Sequence, residues 1–147
     1  GLFKEQTINL DKTPFLNWSW RVDKRLVGLN ERTKEGDDYA ARIYIIKKGG
    51  LAFWQTKAIN YVWSSNSPKD SVWPNAFAGK SAMMLALRWG DAPLQVWHNE
   101  KRNVKADFQK LFGETLPEID GIALMTDTDN SSAQASAYYG DIWFSKD

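Results

Sequence analysis

The 147-residue chain has no cysteine and a single histidine, and each scarcity removes chemistry. Without cysteine there are no disulfides, no thiolate nucleophile and no cysteine-ligated zinc, and such a composition suits the cytosol and the periplasm alike. With only His98, multi-histidine metal sites are excluded. One candidate remains for imidazole general-base work, and no serine stands in a nucleophile-elbow sequence for it to serve. Its plainer reading is an ordinary hydrogen-bonded or exposed side chain. Nor is there an excess of one charge. Nineteen basic and eighteen acidic residues leave a net charge of +1, so no global field attracts a polyanion and nucleic acid is not an expected partner. No apolar run approaches the roughly 18 to 20 residues of a membrane span, and the opening Gly-Leu-Phe-Lys-Glu-Gln lacks the apolar stretch of a signal peptide.

Aromatic residues are abundant: 14% of the chain, with eight tryptophans. That exceeds what a small core needs. Trp54, Tyr61, Trp63, Trp73, Trp97, Tyr139 and Trp143 therefore divide between core packing and a surface where flat rings stack on ligands such as sugars. Trp73, in the Pro-flanked stretch Val-Trp-Pro-Asn, is expected in a loop, where exposure would hint at binding.

Hydrophobic periodicity indicates strands. Leu16, Trp18, Trp20 and Val22 alternate with Asn17, Ser19 and Arg21, and Tyr39, Ala41, Ile43 and Ile45 are expected inward with Asp38 and Arg42 outward. Gly49-Gly50 then marks a turn, and Ala58 to Trp63 reads as another strand before a polar loop from Ser64 to Pro74. Ser81 to Trp89 is expected to pair as a hairpin with Leu94 to Glu100. A single helix starts at the N-cap residue Asn103 and stops at Gly113, and two strands, about Glu118 to Thr126 and Ala137 to Phe144, close the chain. Short strands at this spacing with one small helix predict one mostly β domain over residues 1–147: a two-sheet antiparallel, jelly-roll-like sandwich. The abrupt start at Gly1 suggests an absent N-terminal strand or signal segment, leaving an edge through which a homodimer can form.

If the first two strands are neighbours, Asn17, Ser19, Arg21, Asp38 and Arg42 share a face. Two guanidiniums and a carboxylate there suit a carboxylate or sugar hydroxyls, with a structural ion-pair network as the competing reading. Asp127, Asp129 and Asn130 have the oxygen-ligand pattern of a hard-cation site, which makes calcium the candidate cofactor. The match to a helix-loop-helix calcium loop fails, since Ser132 and Tyr138 stand where Gly and Glu are needed. An Asx-rich turn is the alternative.

The phrases Leu-Asn-Trp-Ser-Trp-Arg-Val, Gly-Asp-Asp-Tyr-Ala-Ala-Arg-Ile-Tyr, Ile-Asn-Tyr-Val-Trp, Lys-Arg-Asn-Val-Lys-Ala-Asp-Phe, Leu-Phe-Gly-Glu, Met-Thr-Asp-Thr-Asp-Asn and Tyr-Tyr-Gly-Asp-Ile resemble the bacterial family called domain of unknown function 3047, over nearly all of the chain. The resemblance implies an exported protein, periplasmic or secreted, and brings no established activity. Its motif positions fall on Trp18, Trp20, Arg21, Asp37, Asp38, Arg42, Asn60, Tyr61, Arg102, Asn103, Asp107, Asp127, Asp129, Asn130, Gly140 and Asp141. The resemblance assigns these positions no role. The expected ligand-binding set is Arg21, Asp38, Arg42, Asn60, Trp73, Arg102 and Asp141. The leading expectation is a non-catalytic, carbohydrate-binding-like module for a glycan or other small polar ligand. The alternatives are a polysaccharide-active enzyme, hydrolase or lyase, using a carboxylate pair such as Asp38 with Asp127 or Asp129, and a structural or assembly module.

Overall fold

A computed structural model describes residues 2–24, 26–127 and 136–147. It is mostly β, 53% strand and 9% helical, in two sheets. Among the described residues nine strands run in chain order: β1 Leu2–Asn9, β2 Phe15–Lys24, β3 Tyr39–Lys47, β4 Lys57–Trp63, β5 Val72–Asn75, β6 Gly79–Arg88, β7 His98–Asn103, β8 Glu118–Asp127 and β9 Ser136–Ser145. The larger sheet has the order β1-β8-β3-β4-β6-β5 and the smaller one β7-β2-β9. This two-sheet arrangement is that of a β-sandwich, and the strand order does not itself establish a jelly roll.

The alternation in β2 places Leu16, Trp18, Trp20 and Val22 against the large sheet, all fully buried. Trp18 packs on Tyr61 with ring centroids 5.5 Å apart, and Trp20 meets Trp63 edge-on at 5.8 Å. These contacts join β2 to β4 and form the middle of the main core, with Ile43, Ile45, Ile59 and Phe108 around them.

Three expectations about pairing change. First, β2 and β3 belong to different sheets, because the buried Trp18–Trp20 stripe needs a facing sheet to cover it. Second, β6 does not form a hairpin with β7. It lies parallel to β4 and antiparallel to β5, while β7 pairs with β2. The chain between Arg88 and His98 passes from one sheet to the other, with Gln95 in a left-handed conformation (φ 60°) and its N–H bonded to the Val22 carbonyl. Third, the register shifts between Tyr39 and Arg42 in β3. That irregularity puts Tyr39 with Arg42 on the outer face, while Ala41 and Ile43 keep to the core.

The helix α1, Val104–Phe112, begins and ends as its sequence predicts. The Asn103 side chain accepts from the Ala106 N–H at 3.0 Å, and Gly113 closes the helix at φ 71°. Val104 and Phe108 face the core.

Candidate functional site

The smaller sheet turns one face to the core and the other to solvent. Its outward positions follow from the ladder: Asn17 lies opposite Lys101 on β7 and Trp143 on β9, Ser19 opposite Asn99, and Arg21 opposite Tyr138. Asn17, Trp18, Ser19, Asn99, Glu100, Lys101, Asp141 and Trp143 line a shallow depression of about 510 Å³ there. Trp97, Tyr138 and Trp143 are about half-exposed, an unusual state for rings this large. β9 is irregular opposite Ser19, and a Cβ on Gly140 would collide with Ser19 Oγ and touch Trp97. Gly140 thus lets the serine hydroxyl and the indole approach the strand closely.

The polar groups of this face are partly fixed. Asn17 Nδ2 donates to Ser145 Oγ at 2.9 Å. Arg21 donates two hydrogen bonds to Asp23, at 2.6 and 3.0 Å, and lies over the Tyr138 ring. That bonding to Asp23 raises the Arg21 pKa. Glu100 also borders the depression, but its carboxylate accepts from Trp20 Nε1 at 2.8 Å and from Arg88 Nε and Nη2 at 2.9 and 3.1 Å. It is a structural anchor between the sheets.

The expected convergence of Arg21 with Asp38 and Arg42 does not occur. Arg42, Asn60 and Trp73 belong to the outer side of the larger sheet, Asp38 ends the segment between β2 and β3, and all four are buried. The residues between β2 and β3 cover them. Arg42 lies between the rings of Tyr39 and Tyr44, at 5.1 and 4.9 Å from their centroids, and its Nη1 is 3.9 Å from Asp37 Oδ2. Asn75 Nδ2 reaches the same carboxylate at 3.4 Å. Trp73, expected in a loop, is in β5 and 1% exposed. It stacks on Tyr39, donates from Nε1 to Tyr39 Oη at 3.2 Å and carries Arg32 over its ring at 5.0 Å. Burial, with Glu31 and Asp37 nearby, pushes the Tyr39 phenol above its usual range.

Two further buried carboxylates hold elements together. Glu31 accepts from Ser64 Oγ, from the Ser65 N–H at 2.8 Å and from the Ser65 and Ser67 hydroxyls, tying the cover segment to the chain after β4. Burial raises its pKa, and those four hydrogen bonds oppose the rise. Asp107 on α1 accepts from Tyr61 Oη at 2.6 Å and from Arg102 Nε and Nη2 at 3.0 and 2.8 Å. Arg102, expected to touch ligand, is thus part of the latch that seats the helix. Its pKa stays raised because the Asp107 bonds outweigh the lowering by burial.

The seven expected ligand residues are therefore spread over three places. Arg21 and Asp141 are on the open face of the small sheet, and Asp38, Arg42, Asn60 and Trp73 are under the cover. Arg102 is in the helix latch. Of the expected cation ligands, Asp129 and Asn130 lie outside the described residues, and Asp127 ends β8 opposite Tyr39. No group of three His, Asp or Glu residues suited to a metal occurs among the described residues. Trp54 is on the larger sheet, at the turn between β3 and β4. Sequence reading missed Asn99 and Lys101 as site residues. Their alternation with His98, Glu100 and Arg102 was visible, but only pairing with Asn17 and Ser19 gives it meaning.

Fold and surface together define a mostly β, two-sheet protein with an aromatic and polar face on its smaller sheet and a sealed polar layer on its larger one. No helix among the described residues is long and apolar enough to cross a membrane. The chain belongs to the family described as protein of unknown function (DUF3047), whose model matches residues 1–143. None of the curated proteins matches it.

Proposed function

We propose that the protein binds glycans, without cleaving them, on the outer face of β7-β2-β9. The observation that carries this reading is half-exposed Trp143 in one shallow depression with amide, hydroxyl, carboxylate and ammonium groups, with half-exposed Trp97 beside Gly140 and Tyr138 opposite Arg21 in the same three-stranded region. Sugar rings offer C–H faces to aromatic planes and hydroxyls to planar polar groups, and Asn17, Ser19, Asn99, Lys101 and Asp141 supply both donors and acceptors. Binding is favoured over hydrolysis because a carboxylate pair needs two free members. Of the two acids at the depression, Glu100 is already held by Arg88 and Trp20. Asp38, common to the carboxylate pairs expected with Asp127 or Asp129, is buried. We further propose, as the family resemblance suggests, that this activity lies outside the cytoplasm, in the periplasm or as a secreted protein, which fractionation of expressing cells tests.

The direct test is a glycan array on the purified protein, with and without a calcium chelator, followed by calorimetry on any hit. Trp143→Ala should weaken binding about tenfold, the equivalent of about 1.4 kcal/mol, as expected for one lost stacking partner. Chelator sensitivity would bring Asp127, Asp129 and Asn130 into the site. Shortened oligosaccharide products would overturn the non-catalytic reading, and a Trp143→Ala variant that binds as wild type would remove this face from it.

A further inference from the structure

Among the described residues, three strongly exposed large apolar side chains gather in one turn. In the turn between β3 and β4, Leu51 is fully exposed at 102%, Phe53 at 76% and Trp54 at 68%. Removing such side chains from water is favourable, so three of them displayed on one turn call for an apolar partner. We propose that this turn is a membrane-contact surface, which places Leu51, Phe53 and Trp54 in the interface of a phospholipid bilayer.

Three observations favour a bilayer over a protein pocket. Residues 49–56, Gly-Gly-Leu-Ala-Phe-Trp-Gln-Thr, carry no charge. The turn also bonds much of its own backbone: Ala52 N–H to the Gly49 carbonyl at 3.1 Å, Gln55 N–H to Ala52 at 2.8 Å, Thr56 N–H to Phe53 at 3.1 Å, and Gly49 N–H to Thr56 Oγ1 at 3.1 Å. Internal bonding of these four N–H groups lowers the cost of entering a lipid interface, because acyl chains offer no hydrogen bonds. A protein pocket imposes no such requirement, since it can supply partners. Third, Phe53 and Trp54 are set edge to face at 5.4 Å, and tryptophan is the residue that settles at the headgroup level. Gly49 is what permits the turn, because a Cβ there would collide with the Ala52 carbonyl.

Behind the tip lie Lys47, Lys48 and Lys57, each already ion-paired. Lys47 faces Glu118 and Asp120 at 3.8 and 3.6 Å, Lys48 pairs with Glu5, and Lys57 with Glu114. The collar is therefore close to neutral, and the attraction is apolar rather than a response to anionic lipid.

The test is co-sedimentation of the full chain with phosphatidylcholine vesicles, repeated with 30% phosphatidylglycerol by about that fraction and at high salt. Wild type should bind neutral vesicles, with little dependence on salt or on the anionic lipid. Leu51→Asp with Phe53→Asp should lower the partition coefficient by about tenfold or more. Val27→Asp, a change at another exposed apolar residue, should leave it unaltered. Trp54→Phe should abolish the blue shift of tryptophan emission on vesicle addition. Both Asp variants alter exposed side chains, so unchanged thermal unfolding is the check on folding. Failure of wild type to bind neutral vesicles overturns the proposal and leaves the tip to a protein partner. Binding that requires phosphatidylglycerol and vanishes in salt overturns it too, because it would assign the contact to the lysines.

Discussion

Removing Asp107 should release the helix from the sandwich. Its carboxylate accepts from Tyr61 and, twice, from Arg102, and it stands in the first turn of α1. In Asp107→Ala the Tyr61 hydroxyl, on a fully buried residue, loses its acceptor, which costs about 1–3 kcal/mol. Arg102 loses two charge-assisted bonds, but its side chain is 29% exposed, so water recovers part of them and about 1 kcal/mol is the fair charge. Loss of a negative group near the helix N-terminus adds about 0.5 kcal/mol. The sum is about 2.5–4.5 kcal/mol, overlapping the range for breaking a buried pair from one side. Tyr61→Phe alone removes one hydrogen bond and should cost about 1 kcal/mol. With Ala already at 107, the same change removes an orphaned hydroxyl and should regain about 1 kcal/mol, so the cycle shows a coupling of about 2 kcal/mol. Urea unfolding of the four proteins at constant m-value measures it. A cost below about 1 kcal/mol for Asp107→Ala, or strict additivity with Tyr61→Phe, would refute the latch.

Glu31 gives a pH signature with a definite sign. Its folded pKa is raised above 4.5 by burial, so the folded state holds its proton longer than the unfolded one, and stability from this group falls as pH rises from about 4.5 through the raised value. Wild-type stability minus that of Glu31→Gln should fall across this window and then level off, as followed by urea unfolding from pH 4 to 8; a difference that grows with pH would contradict it. Arg42→Ala, by leaving Asp37 and two aromatic faces without their cation, should cost about 3–5 kcal/mol while leaving glycan affinity of the folded protein unchanged. Lys4 points into an apolar groove along the edge strand β1, beside Ile122, Leu124 and Phe144. Such an inward charge guards an edge, so Lys4→Val should increase concentration-dependent association in light scattering. Gly140→Ala should disturb glycan binding more than stability, because the Ser19 hydroxyl in its way can rotate aside; equal losses in both would argue against a role at the face.

Elements with purely local causes were legible in the sequence. The period of β2, the Asn103 cap and the Gly113 stop each depend on residues within one or two turns of chain, and each appears where expected. Pairing was not legible, because it depends on which stripe covers which. The alternation in β3 correctly separated Arg42 from Ile43, yet it could not show that residues between β2 and β3 fold back over Arg42 and bury it. Nor does any local pattern announce the irregularity that moves Tyr39 to the outer side. Trp73 was misplaced for an instructive reason. Pro74 speaks against a central strand, but β5 is at the edge of the sheet, where a missing N–H costs nothing to a neighbour. The candidate site suffered most, since β2 meets there two strands from distant parts of the chain, with Trp18 opposite both Glu100 and Ile142.

The two sheets have opposite outer surfaces, and this bears on where a ligand is held. Polar residues on the large sheet are removed from water and committed to each other: Arg42 to Asp37 and two rings, Asn75 to Asp37, Trp73 to Tyr39. A ligand reaching them would first have to displace the cover, breaking the four bonds that Glu31 makes to Ser64, Ser65 and Ser67. On the small sheet Asn17 is buried, but Trp143 and Tyr138 are half-exposed and Asp141 is exposed, and the rings gain by being covered. Pairing on the sealed surface is explained by the cost of an unpaired buried charge. The open surface carries no such burden, because exposed substitutions usually shift stability by less than about 0.5 kcal/mol, and that is where a binding role has room to act.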